Sequence, residues 1–243
     1  QLPVCRGRNV THASGVAAPA VTDRLIQRGA SFDAAKLGCN KAQIRGSATY
    51  LDDIAEVRGT LHAAPILSTV AHGKLLGVDT QAALAMPGVR DVILAHDVPG
   101  DPVLATFTHD EPIFASTVVE HIGQVVGLVV ADSVMAARRA ARQVQLNIEP
   151  LPAVLTVQDA LKVENYVLPP VFVKRGDAAA ALSRSPHTLS GTLSVGGQEH
   201  FYLEGQIAYV LPKEQGQWLV HASTQHPGEV QHAVASALGL CNQ

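Results

Sequence analysis

Two short polar clusters hold the side chains best suited to chemistry. In the first, Ser194–Gln206 reads SVGGQEHFYLEGQ. Paired glycines lead to Gln198, Glu199 and His200 in a row, and then to Phe201-Tyr202-Leu203. The second, Ala222–Glu229, reads ASTQHPGE and carries Gln225 between Thr224 and His226. Each adjoins an apolar run of strand length, where the end of a sheet exposes side chains to a cleft. Two well-hydrogen-bonded turns that serve only the fold would give the same pattern, and at this level both readings stand.

A metal centre is the first chemistry to weigh. His200, His221, His226 and His232 fall in the last quarter of the chain with Glu199, Glu204 and Glu229. Glu229 and His232 lie three apart on an expected helix and share a face, as in bundle metal sites. Such a site takes the motif from two helices, and here it occurs once. HExxH is absent, so the weight falls on polar residues at strand ends and on a helix. Nucleophilic catalysis is weaker still. There is no GxSxG, Ser223 is near histidines only in sequence, and Cys241 has no evident histidine and asparagine set around it. Phosphate loops of the P-loop or GxGxxG type are also missing.

The elements that must position these clusters come from a chain of 243 residues, 47% hydrophobic and 16% charged. That is a globular profile with a sizeable core. Only 4% is aromatic, so the core is built mainly from Ala, Val and Leu. The formal net charge is -3, and the densest basic patch, ARRAAR at Ala137–Arg142, reads as the wet side of an alanine-faced helix. No electrostatic footprint for nucleic acid is present, and no apolar run is long enough to span a bilayer. Cys5, Cys39 and Cys241 are odd in number and far apart, which fits a reducing cytoplasm rather than a disulfide framework.

Residues 1–40 show weak periodicity and read as an N-terminal extension, with Asp33–Asn40 its best helix candidate. From Gln43 the pattern sharpens. Ser47–Ile54 reads as a short strand running into an Asp-Asp turn, and Gly59–Ser68 as an apolar strand. Asp79 or Thr80 caps a short helix with Ala82, Leu84, Ala85 and Met86 inward, stopped by Pro87-Gly88. Val89–Gly100 is a β-branched strand closed by Pro99-Gly100. His121–Asp132 is a near-continuous apolar strand of the kind buried on both faces. Ser133 or Asp132 then caps a helix whose Val134, Ala137, Ala141 and Val144 lie at helical spacing. Val144–Pro152 alternates like a half-buried strand. The proline-rich Pro150–Val171 marks a linker with one short helix behind Thr156. After a helix over GDAAAALSRS come three alternating strands, His187–Val195, Glu204–Pro212 and Gly216–Thr224. A last helix runs from Pro227, with Val230, Val234, Ala237 and Leu238 on one face.

ATYLDDI, GTLHAA, IGQVVGLVVAD, EPLPAVLT, RGDAAAAL, GGQEHFYLEGQ and STQHPGEVQHAVASALGL occur in that order. Over roughly Lys41–Leu240 this succession resembles the molybdopterin-binding large subunits of bacterial xanthine dehydrogenases, in the xanthine dehydrogenase and aldehyde oxidase superfamily. GGQEHFYLEGQ with STQHP downstream is the specific part.

The resemblance implies an α+β fold: an α/β hammerhead domain over 41–155, then, over 156–243, the first part of a molybdenum-cofactor-binding domain. It implies hydroxylation of hypoxanthine or xanthine to urate, or of an aldehyde, with oxygen from water. Electrons would leave through 2Fe-2S centres and FAD, on a partner subunit, to NAD; no cysteine cluster here would hold iron and sulfur. A hetero-oligomer without nucleic acid or membrane is expected. By the same resemblance Gln225 sits beside the apical oxo ligand of molybdenum without ligating the metal. A neutral amide donates to an oxo oxygen and adds no negative charge. Gln198, Glu199, His200 and Phe201 support the buried cofactor, with the glycines allowing close approach and Phe201 and Tyr202 filling core. The family's GGGFGGKE-like loop, substrate arginine and base glutamate have no counterpart in this sequence. The expectation is therefore an N-terminal piece of such a subunit, inactive alone. The alternatives are an aldehyde-oxidising relative or a non-catalytic scaffold.

Overall fold

The computed structural model describes residues 42–105, 108–202 and 204–240. The expected extension over 1–40, its helix candidate and all three cysteines lie outside the described residues.

After a 3-10 turn at Leu51–Asp53 come β1 (His62–Leu67), β2 (Gly73–Asp79), α1 (Gln81–Leu84) and β3 (Val89–Leu94). The chain continues through β4 (Val103–Ala105), β5 (His109–Pro112), β6 (Val118–Val119), β7 (Val125–Ala131), α2 (Val134–Ala141) and β8 (Gln145–Pro150). Then follow α3 (Val157–Lys162), α4 (Ala178–Arg184), β9 (Ala208–Pro212), β10 (Trp218–Ala222) and α5 (Pro227–Ala237). Strand β7 lies between β1 and β3, antiparallel to both, and β2 lies between β6 and β8, also antiparallel. The hairpins β4–β5 and β9–β10 stand as two-stranded pairs. This mixture of helices with antiparallel sheets is the expected α+β class.

The core follows from β7 and α2. Val126, Val129 and Ala131 in β7 are almost wholly buried, as is Ile66 of β1. On the alanine side of α2, Ala140 packs with Ile66, Val126 and Val129, and Ala136 and Ala137 pack with Ala64 and Ala131, where small side chains let helix and sheet approach closely. Ser133 starts the helix: its Oγ accepts a hydrogen bond from the Ala136 N–H at 3.2 Å. Gly127 is required by packing. A Cβ there would lie 2.4 Å from the Ile93 carbonyl oxygen and 2.6 Å from Leu94 Cδ2.

Several sequence readings are corrected. Ser47–Ile54 is not a strand: Asp53 Oδ2 accepts from the Tyr50 N–H at 2.9 Å and turns the backbone. On α1 the inward residue is Ala83, while Leu84 is exposed. Asp79 rather than Thr80 holds its start, Oδ1 accepting from the Gln81 N–H. Val134 is exposed, so the buried face of α2 is rotated toward Ala136 and Ala140. His187–Val195 pairs with no strand among the described residues and is exposed throughout.

Among the described residues, two junctions tie the chain before Pro150 to the chain beyond the Pro150–Val171 linker. Glu204 Oε1 accepts from the Leu51 N–H at 2.8 Å, and the Tyr209 hydroxyl oxygen accepts from the Val57 N–H at 2.9 Å. At the second, the amides of Gly100 and Asp101 donate to the carbonyls of Ala237 and Ser236, each at 2.9 Å.

Candidate functional site

The hairpin β9–β10 sets Gln225 in place. It closes through Gln215 and Gly216, both in the left-handed region at φ 58° and 74°, with Lys213 N–H donating to the Gln217 carbonyl. Register pairs Tyr209 with His221, whose rings stack at 6.2 Å. With the Tyr209 hydroxyl engaged by Val57, this pair fastens the hairpin to the first region. Beyond the last register pair, the Ser223 hydroxyl takes over. Its Oγ accepts from the Ile207 N–H at 3.1 Å and donates to the Ile207 carbonyl at 3.4 Å. Ser223 is thus committed to the backbone. Thr224 Oγ1 accepts from the His226 N–H at 3.0 Å, and the chain turns into α5.

Gln225 occupies that bend, exposed, and its carboxamide has no hydrogen-bond partner among the described residues. Immediately after it, α5 begins with Pro at its first turn, and no side chain caps the His226 position. The first free N–H groups and the positive end of the helix dipole therefore face the same surroundings as the amide. The amide and the first-turn N–H groups can donate to an oxygen-rich group, and Glu229 puts a carboxylate in the same turn.

The first cluster is arranged differently from expectation. Gln198, Glu199 and His200 are exposed and lie outside any helix or strand. Phe201 is 92% exposed, at φ 50°, and Tyr202 is 53% exposed, so neither fills core among the described residues. A Cβ on Gly196 or Gly197 would meet nothing within 4 Å, so among the described residues the close approach expected of those glycines has no counterpart. The segment satisfies itself locally. Glu199 Oε1 accepts from the Phe201 N–H at 3.5 Å, the His200 and Tyr202 rings lie 6.4 Å apart, and Gln206 Nε2 donates to the Tyr202 hydroxyl at 2.6 Å. No hydrogen bond, ion pair or ring contact among the described residues joins Gln198–Phe201 to Gln225. Nor does any group of three or more His, Cys, Asp or Glu side chains there have an arrangement that could hold a metal ion.

Sequence reasoning passed over Gly100 and Asp101, taken only as the end of a strand. Asp101 Oδ1 accepts from the Val103 N–H at 2.9 Å, and its Oδ2 lies 2.8 Å from His109 Nε2. These bonds, the backbone one foremost, hold the Asp101 carboxyl below the usual carboxylate range. Pro99-Gly100 was the available signal, but nothing in its pattern tells a strand end from a docking loop.

A family model described as aldehyde oxidase and xanthine dehydrogenase, a/b hammerhead domain, matches residues 45–152, and one described as molybdopterin cofactor-binding domain matches 161–243. The chain is 39% identical over 199 residues to the xanthine dehydrogenase/oxidase of Mus musculus, covering 82% of this chain and 15% of that one. It is 40% identical over 202 residues to the xanthine dehydrogenase of Oryza sativa subsp. japonica, with the same coverage of 82% and 15%. The chain thus spans about 15% of the length of the curated relatives it matches. Among solved structures, the aldehyde oxidoreductase from Desulfovibrio gigas superposes at a TM-score of 0.73 and 29% identity, over 83% of this chain and 24% of that one. The quinoline 2-oxidoreductase from Pseudomonas putida 86 superposes at 0.71 and 25% identity, over 84% and 28%. Among the described residues no helix is long and apolar enough to cross a membrane.

Proposed function

The chain belongs to the aldehyde oxidase and xanthine dehydrogenase family, and on that premise we propose that it forms part of a molybdenum hydroxylase acting on a purine, xanthine above all. The observation that carries this reading is the unpartnered Gln225 carboxamide at the uncapped start of α5, in the stretch matched by the molybdopterin model. That donor set fits an oxo-bearing cofactor. When bound, the molybdenum cofactor supplies the oxygen transfer and accepts the electrons.

This chain's own part is orientation. Gln225 donates an amide hydrogen bond toward the cofactor, and a carboxylate there would be repelled and would compete as a ligand. Gln198, Glu199, His200 and Phe201 line the second approach once it is enclosed by polypeptide beyond the residues described. The 2Fe-2S centres and FAD sit on a partner subunit or domain, the electrons pass to NAD, and the setting is the cytoplasm. The boundary between the two domains falls at 155/156.

Preference for xanthine over an aldehyde rests on the relatives named xanthine dehydrogenase, at 37–40% identity over 82% of this chain. The test is made on the complete native protein that contains this sequence, by metal analysis and by turnover of xanthine against benzaldehyde. Molybdenum with preferential xanthine oxidation is expected. A molybdenum-free protein overturns the hydroxylase reading, and preferential aldehyde turnover overturns the substrate. Replacing Gln225 by Ala should leave the fold intact and slow turnover by about 10–100-fold, as loss of a hydrogen-bonding partner beside a metal's own ligands does. An unchanged rate removes Gln225 from the site.

A further inference from the structure

Helix α5 ends in a well-defined way. Gly239 adopts φ 65°, its N–H donates to the Ser236 carbonyl, and the Leu240 N–H donates to the Ala235 carbonyl. This is the Schellman arrangement, which satisfies the carbonyls one turn back and leaves the final one, that of Ala237, without an internal donor. The loop Pro99–Asp101 supplies it. Gly100 N–H donates to the Ala237 carbonyl at 2.9 Å, and Asp101 N–H adds a second bond, 2.9 Å, to the Ser236 carbonyl. The fit leaves no room for a side chain. A Cβ on Gly100 would stand 2.1 Å from the Ser236 oxygen, 2.4 Å from the Gly239 nitrogen and 2.9 Å from the Ala237 oxygen. The Asp101 carboxylate then stiffens the loop by its bonds to Val103 and His109.

The other end of the same helix carries Gln225. With 11 residues, α5 is a rod about 16 Å long. We propose that Gly100 and Asp101 are positioning residues for Gln225: the hammerhead-side loop grips the C-terminal end of α5 and thereby fixes where its N-terminal end presents the carboxamide. The inference rests on the reading of Gln225 given above. An ordinary carbon–oxygen contact is about 3.3 Å, so a methyl at Gly100 drives the helix end away by on the order of 1 Å. A misplacement of that size at a reacting centre costs up to about 100-fold.

The test compares Gly100→Ala, Asp101→Asn and Gln225→Ala in the complete holoenzyme, with Gly77→Ala as control, since a Cβ at Gly77 meets nothing within 4 Å. Three quantities are read: the split of kcat against KM, the molybdenum EPR signal of the reduced enzyme, and hydrogen exchange at the Gly100 and Asp101 amides. Gly100→Ala should lower kcat by about 10–100-fold with KM nearly unchanged. Its EPR signal should shift in the same sense as that of Gln225→Ala, while Gly77→Ala matches the parent. Asp101→Asn, which loosens the loop without a clash, should speed exchange at both amides and reproduce the shift in weaker form. It decides the matter if Gly100→Ala does not fold. Wild-type kcat and EPR in folded Gly100→Ala or in Asp101→Asn, with Gln225→Ala altered, overturns the positioning role alone. Wild-type behaviour of Gln225→Ala overturns the reading beneath it as well.

Discussion

The stretches before and after Pro150 differ in where their apolar side chains go. Nearly every buried apolar residue lies between Leu51 and Val144, and Ala235 is the exception in the later stretch. After Pro150 no large apolar side chain among the described residues is fully buried, and many stay out. Val167, Val171, Phe172, Val173, Leu189, Leu193 and Phe201 are all 87% exposed or more. The first stretch assembles two three-stranded sheets with the helices α1 and α2 and covers its own core. The second makes one hairpin, one docked helix and the two short helices α3 and α4, which bury no residue, and its remaining described segments are exposed. Burial of apolar area is the main favourable term in folding. The later stretch therefore draws its stability from elsewhere, chiefly through the junctions at Leu51, Val57 and Gly100.

The sharpest way to break this comparison is a matched pair of truncations. Ile66→Ala removes a side chain that is 2% exposed and should cost about 2–5 kcal/mol, seen as a lowered midpoint in chemical denaturation. Val173→Ala removes one that is 97% exposed and should change the stability of this 243-residue chain by no more than about 0.5 kcal/mol. Equal costs would mean that Val173 is covered after all.

Glycines give the next contrast. Gly127→Ala forces a methyl against the Ile93 carbonyl in the central strand and should cost about 1–3 kcal/mol as an overpacked site. Gly196→Ala meets open space, so the same denaturation measurement should return a change near zero in this chain. A large loss at Gly196 would show its glycine pair packed closely against something within the chain.

What could be read from the sequence does not divide along that line: after Pro150, β9, β10, α3, α4 and α5 stand where the sequence placed them, and before it β2 was not foreseen. Strands β1, β3, β7 and β8 and helix α2 were legible because each buries a face within reach of its neighbours, so alternation or helical spacing reports the fold directly. His187–Val195 alternates just as clearly and is not a strand here. Alternation says that one face seeks cover and does not say what covers it. The polar strand β5, His109–Pro112, was invisible for the opposite reason: HDEP has no apolar period, and its backbone pairing with β4 alone defines it. At the site, the bend at Gln225 was legible from STQHP, whereas the core role of Phe201 and Tyr202 was not borne out among the described residues. The grip of Gly100 on α5 depends on a long-range approach that no local pattern encodes.

Helix caps sharpen the contrast on a smaller scale. Ser133→Ala deletes the hydroxyl that accepts the Ala136 N–H and should cost about 1 kcal/mol globally, since α2 is built into the core. Thr156→Ala deletes the equivalent bond to the Asp159 N–H, 3.1 Å, at a helix with no buried residue. It should fray α3 alone, visible in local hydrogen exchange and absent from the global transition.

Acid should expose the same division with the smallest effect. Two carboxylates, Asp101 and Asp159, titrate below their ordinary value of 3.8. For Asp101 the cause is first the Val103 N–H and then His109; for Asp159 it is the Thr156 hydroxyl, then Lys162. A carboxyl that loses protons more readily when folded adds stability that is fully present above the ordinary value and disappears as pH falls through the lowered one. Both groups are solvent-accessible, so both contributions are modest. They differ in what they hold. Asp159 braces only α3, through Thr156 and Lys162, so its protonation should loosen that helix and leave the rest unmoved. Asp101 braces the loop that donates to α5, so acid should free the amides of Gly100 and Asp101 and with them the C-terminal end of α5. Asp101→Asn should show that faster exchange already at neutral pH and approach the parent as pH falls below 3.8. If the two proteins diverge further in acid, the sign of the linkage is wrong, and the loop is held by its backbone bonds alone.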